Sequence, residues 1–248
     1  MPRKARLVSN TGIYHILLRG INRQVIFEDD EDFGVFLSVL AKYKMEFSCQ
    51  IYAYCLMENH IHLLMKIPSN DLQHFMRKVG TKYVYWYNWK YDRVGGLFQD
   101  RYKSEPVEND AYFRTVFRYI HQNPVKAGIC KTAAMYQQSS YKDYINPNPN
   151  QITDTSFTVS VLGDDLFQES HDICNEDKCL ELKAVKRIND DEAKWIIRKI
   201  CGCGNASEFQ ALQVSTRNQY LKELKSNGLS IKQIERLTGI NRGLVQKA

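Results

Sequence analysis

The order of hydrophobic patterns along the chain predicts an α+β protein with two regions of different texture. Residues 1–145 switch between period-two and period-3.6 patterns, whereas the chain beyond about residue 186 is helical in pattern throughout. Between them, 146–185 opens on NPNPNQITDTS, the composition of a linker or irregular segment. In the first region the elements run strand, helix, strand, strand, helix, strand. That is the split βαβ arrangement of a ferredoxin-like (RRM-like) antiparallel sheet with its helices on one face.

Taken in order, GIYHILLRG alternates as a strand, and FEDDEDFGVFLSVLAKYKMEF is an acidic-started helix with Phe33, Phe36, Leu37 and Leu40 at helical spacing. CQIYAYCLM and HIHLLMKI are two strands separated by Glu58-Asn59, hence a hairpin. NDLQHFMRKVGTKYVYWYNWKY follows from an Asn or Asp cap with length for five turns, and GLFQDRYKSEPVE is a further strand. NDAYFRTVFRYIHQNPVKAG is a capped helix expected to stop near Pro124, because the residue before a proline is pushed out of the helical region.

The C-terminal STRNQYLKELKSNGLSIKQIERLTGINRGLVQKA divides at Asn227-Gly228 and Thr238-Gly239 into three short amphipathic helices. The last two have the spacing of a helix-turn-helix, whose second helix would enter a major groove with Asn241, Arg242, Gln246 and Lys247. The plainer alternative is a bundle that only packs on its neighbour. The domain division predicted is thus 1–145, 146–185 and 186–248.

Composition narrows the function classes. Seven cysteines, with neither Cys174-x4-Cys179 nor Cys201-x-Cys203 matched by a second well-spaced pair, suit reduced thiols in a cytoplasmic protein better than a zinc or disulfide framework. The basic N-terminus lacks an apolar stretch of signal-peptide length, and no later run suits a membrane span, so no membrane partner is expected. Residues 1–145 hold 20 Lys and Arg against 14 Asp and Glu, and the rest holds 14 against 14, so the net charge of +6 belongs wholly to the first region. A basic domain with interleaved aromatics, as in GTKYVYWYNWKYDR, suits a polyanion whose bases stack; equally, Tyr83, Trp86 and Tyr87 could be core.

ENHIHLL carries the chemistry. On a strand His60 and His62 share a face, and two imidazoles side by side can hold one divalent metal. Tyr119 and Asn123 in FRYIHQNPVKAG stand at i and i+4, a phenol beside a carboxamide, with His121 at i+2 facing away. The bland alternatives are two hydrogen-bonded strand histidines, a packed tyrosine and a capping asparagine.

Together ENHIHLL, GLFQDRYKSEPVE and YIHQNPVKAG resemble the REP-associated tyrosine transposases, relatives of the single-tyrosine HUH transposases of small insertion sequences, from about Gly12 to Gly128. The resemblance implies His60 and His62 as ligands of Mg2+ or Mn2+, Asn123 as third ligand where many relatives have the longer glutamine, and Tyr119 as nucleophile. It implies cleavage and rejoining of single-stranded DNA beside a small hairpin through a 5′-phosphotyrosine link, in a cytoplasmic, nucleoid-associated protein. Arg101, Lys103, Arg114, Arg118 and Lys126 lie near these motifs and would contact phosphates. Two other readings are a catalytically silent helix-turn-helix regulator and an HUH replication or transfer nickase. Monomer and homodimer both stay open.

Overall fold

The alternation in GIYHILLRG produces β1 (Ile13–Arg19), and the hairpin is formed by β2 (Gln50–Met57) and β3 (His60–Lys66) across the two-residue turn Glu58-Asn59. The computed structural model describes residues 6–163, 179–180 and 188–248; the basic start of the chain, and the intervening parts of the predicted irregular segment with Cys174, lie outside the described residues. β4 is shorter than GLFQDRYKSEPVE suggests, only Lys103–Pro106, since Asp100 takes a left-handed φ of 56° and interrupts the extended run. The sheet order is β2-β3-β1-β4, and every neighbouring pair is antiparallel.

Helices α1 (Asp30–Glu46) and α2 (Ser69–Lys90) cover one face of the sheet, where Phe36, Leu40, Phe75, Val79 and Tyr83 pack on Ile16, Ile61, Leu63 and Met65. Asp29 and Asp32 form a capping box at the start of α1. The N-cap of α2 is Pro68, which makes no side-chain cap bond and stands two residues ahead of Asn70 and three ahead of Asp71, the residues expected to cap it. Tyr83 and Tyr87 are core residues, whereas Tyr85 and Trp89 are exposed. The aromatic run therefore divides between the two readings.

The expectation of helices on one face alone is corrected by α3 (Asp110–Lys126). Its Phe113, Val116, Phe117 and Ile120 pack on the opposite face, against Ile13, Ala53, Cys55 and Leu64. β1 is buried at six consecutive residues and β3 at five, so neither strand has a solvated side. α3 also runs past Pro124 to Lys126. A proline in the last turn removes only one intrahelical donor, and the turn is closed beyond it by Ala127 N–H to Asn123 O (2.9 Å) and Ile129 N–H to Pro124 O (2.9 Å).

The chain after α3 protects the edge of the sheet. Leu56 N–H donates to Gln138 O (2.9 Å), Ser140 N–H to Tyr54 O (3.0 Å) and Tyr54 N–H to Ser140 Oγ (2.9 Å), so β2 is not an open edge. The short α4 (Tyr141–Ile145) follows, and Asp154 then exchanges bonds with Ile51, N–H to carbonyl at 2.7 Å and carboxylate from N–H at 2.8 Å. α5 (Thr155–Leu162) packs Val161 and Leu162 into the α3 core, so this part of the predicted linker is built into the sheet unit.

The chain divides into two units, Met1–Glu181 and Leu182–Ala248. The second contains α6 (Asp190–Cys201), α7 (Ala206–Gln210), α8 (Val214–Ser226), α9 (Ile231–Thr238) and α10 (Arg242–Lys247) around Ala193, Ile197, Phe209, Leu221, Leu224, Ile234 and Val245. The breaks fall at the predicted glycines, Gly228 and Gly239, whose φ values of 90° and 68° favour a residue without Cβ. Among the described residues no helix is long and apolar enough to cross a membrane.

Candidate active site

Strand register brings the site together. Leu17 pairs with His62 and Arg19 with His60, while His15 pairs with Glu105 on β4, so His15, Arg19, His60, His62 and Glu105 share the face covered by α3. His62 is 2% exposed. The ring centroids of His60 and His62 are 5.2 Å apart. Both Nδ1 atoms are engaged: that of His60 lies 2.7 Å from Asn59 Oδ1, and that of His62 lies 3.0 Å from His15 Nε2.

Tyr119 projects from α3 into this group, its ring edge-on to His62 at 5.6 Å and to His15 at 5.9 Å between centroids. Lys126, two turns on, sits 4.8 Å over the same ring. Asn123 stands beside His60, and its Nδ2 donates to the Tyr119 carbonyl at 3.1 Å. The i, i+4 pair therefore does face the histidines. His121 turns away, fully buried, with its Nε2 2.7 Å from Ser140 Oγ and its ring against Phe117.

Burial dominates the electrostatics. It pushes His60 down to about 4, with the Arg19 charge adding and the Asn123 amide partly opposing; it likewise lowers His62 and His15. Neutral imidazoles are the form that binds a metal. His15 beside it holds the Glu105 carboxyl below the usual range, and burial followed by Glu105 raises the Tyr112 hydroxyl, which donates to Glu105 at 2.6 Å.

The remaining sequence-predicted residues separate. Lys103 pairs with Leu17 and so lies on the site face, exposed; Arg101 is exposed and outside β4; Arg118 is half-buried on α3. Arg114 is exposed on α3, and its Nε and a guanidinium nitrogen donate to Val161 O at 3.0 and 2.6 Å. In the second unit Asn241, Arg242, Gln246 and Lys247 are all exposed on or at the start of α10, although the Asn241 side chain is used to cap it by accepting from Gly243 N–H at 2.8 Å.

Sequence reasoning missed His15 and Arg19. Both occupy the same parity of GIYHILLRG, and a polar residue at a strand position otherwise apolar was the available signal. The Arg19 Nε is buried without a hydrogen bond among the described residues.

Residues 8–123 match the family described as Transposase IS200 like, a stretch that contains His15, His60, His62, Tyr119 and Asn123. A protein of Haemophilus influenzae named for the REP-associated tyrosine transposases is 28% identical over 100 residues, covering 36% of this chain and 57% of that protein. The chain thus spans little more than half the length of this relative. A solved structure of a REP-associated tyrosine transposase bound to a REP hairpin is similar in fold, with TM-score 0.51 and 20% identity over 63% of this chain and 96% of the other. The resemblance legible in ENHIHLL and YIHQNPVKAG thus coincides with the stretch, residues 8–123, that matches the IS200-like transposase family, and a REP-associated tyrosine transposase is among the proteins to which the chain is similar.

Proposed function

We propose that the chain is a metal-dependent transesterase that cuts and rejoins single-stranded DNA beside small hairpins, with Tyr119 as nucleophile. The observation that carries this reading is the convergence of Tyr119 and Asn123, from α3, on His60 and His62, from β3. The donor set fits a divalent ion: with both Nδ1 atoms engaged, Nε2 is the nitrogen that each ring has for a metal, and Asn123 brings an amide oxygen. Among the described residues no three His, Cys, Asp or Glu gather as a ligand set, so an amide and substrate or solvent oxygens would complete the shell. Mg2+ or Mn2+, when bound there, draws charge from the scissile phosphate.

The chain's own groups do the rest. The Tyr119 oxygen forms a bond to phosphorus as the bond to the 3′ oxygen breaks; the phenolic proton is lost and the departing 3′ oxygen takes one up. One phosphodiester replaces another, leaving a 5′-phosphotyrosine and a free 3′-hydroxyl, so the step reverses without ATP. Arg19, Lys103 and Lys126 stand around the site as phosphate contacts, which position the strand without reading it. The strand order supports the ferredoxin-like reading of the sheet, and the Gly239 turn between α9 and α10 supports the helix-turn-helix reading of the second unit. The hairpin in the structural relative's own complex supports a hairpin as partner here.

The test is a cleavage assay on hairpin-containing single-stranded oligonucleotides with Mn2+. Replacing both His60 and His62 with alanine is expected to abolish Mn2+ binding by calorimetry and cleavage together. Normal cleavage by the double variant would leave a DNA-binding regulator as the better account.

A further inference from the structure

We propose that Glu105, at the edge of the site, and the buried His15 form a relay that fixes His62 in the tautomer protonated on Nδ1, leaving Nε2 its lone pair for the metal. The inference rests on the metal-site reading above and assigns two positioning residues to it.

The geometry admits one proton between His15 Nε2 and His62 Nδ1, which are 3.0 Å apart with the rings stacked at 26°. Either ring could donate it, and the far end of the chain decides. His15 Nδ1 faces Glu105 Oε2 at 3.9 Å, longer than a hydrogen bond but close enough for charge to matter in a site where His15 is wholly buried. A proton on His15 Nδ1 points an N–H at the carboxylate; the opposite tautomer would aim a lone pair at it, with no other donor to that atom among the described residues. The first arrangement empties His15 Nε2 to accept from His62 Nδ1–H. Glu105 is itself held by the Tyr112 hydroxyl at 2.6 Å and by Leu180 N–H at 3.1 Å, so the relay has a fixed origin. A ligand imidazole held through its second nitrogen is oriented and made more basic, and losing such a partner costs roughly tenfold to a hundredfold in metal affinity.

The test combines 15N NMR of the histidine rings in metal-free protein with Mn2+ calorimetry on the wild type, His15→Phe, His15→Gln and Glu105→Gln. In the wild type His62 is expected to carry its proton on Nδ1. His15→Phe keeps ring volume but removes the acceptor, so Mn2+ should bind about tenfold to a hundredfold more weakly. His15→Gln, with an amide oxygen to accept, should recover most of the loss, which a purely structural role for His15 would not produce. Glu105→Gln, a side chain at the edge of the site, should shift His62 toward the Nε2-protonated form and weaken Mn2+ binding in a folded protein. A His62 proton on Nε2 in the wild type overturns the relay whatever the affinities. Wild-type Mn2+ affinity in both His15→Phe and Glu105→Gln overturns it while leaving the metal site standing. Absence of Mn2+ binding in the wild type overturns the metal reading itself.

Discussion

His60 and His62 were recognisable because they stand one residue apart in an apolar run, and a strand gives such residues one face. What the run did not disclose is how deeply they sit. Burial takes His60 to about 4 against an ordinary 6.5 and lowers His62 and His15 in the same direction. The consequence for metal-free protein has a definite sign. Above pH 6.5 these rings are neutral folded or unfolded and contribute nothing; between 6.5 and about 4 the unfolded chain binds protons that the folded one refuses, so stability falls as pH falls. Urea unfolding in chelator should show a declining midpoint across this window, with a shallower decline in His60→Gln, and a flat profile would contradict the burial argument. Tyr119 belongs to the same scale. Tyr119→Phe removes one hydroxyl and keeps the ring packed on His62, so it should eliminate strand cleavage while changing hairpin affinity, measured by fluorescence anisotropy, by less than about threefold, a difference of roughly 0.7 kcal/mol.

At the scale of elements, strands and helices were legible where hydrophobic period and length agreed, as in β1, α1 and the β2–β3 hairpin. The departures have physical causes. Pro124 did not stop α3, because a last-turn proline forfeits one bond and the turn closes without it. The second layer of helix was hidden because β3 is buried on both sides, and nothing in a strand's own sequence says whether His62 faces water or α3. Likewise INPNPNQITDTS has a linker's composition, yet Asp154 pairs with Ile51 and helps to cover the sheet edge. Long-range pairing of this kind leaves no periodic trace. The edge cover predicts that Ser140→Ala, which strips an acceptor from Tyr54 N–H and a partner from His121, costs about 1–3 kcal/mol in denaturant unfolding. Mn2+ affinity should be unchanged, because Ser140 lies away from the paired histidines; a matching loss of metal binding would show that His121 belongs to the site after all.

Over the whole molecule, the paired histidines and Tyr119 lie in the first unit, while the second, with 13 Lys and Arg against 6 Asp and Glu, ends on an exposed polar helix. The account therefore assigns strand cleavage to one unit and target preference to the other. Arg242→Ala with Gln246→Ala in the full chain should narrow the affinity gap between a preferred and a scrambled duplex by about 1–3 kcal/mol per lost base contact while leaving cleavage at saturating oligonucleotide intact. An unchanged gap would reduce α9 and α10 to a packing module. The central claim is narrower: the group that attacks DNA is the α3 phenol set against the paired histidines. Its most direct test is to incubate the wild-type protein with Mn2+ and a hairpin-containing single strand, trap the covalent complex, digest it and map the modified peptide. The account predicts a 5′-phosphotyrosine link on Tyr119 alone; a link on Tyr102 or on Tyr112, whose hydroxyl is committed to Glu105, would contradict it.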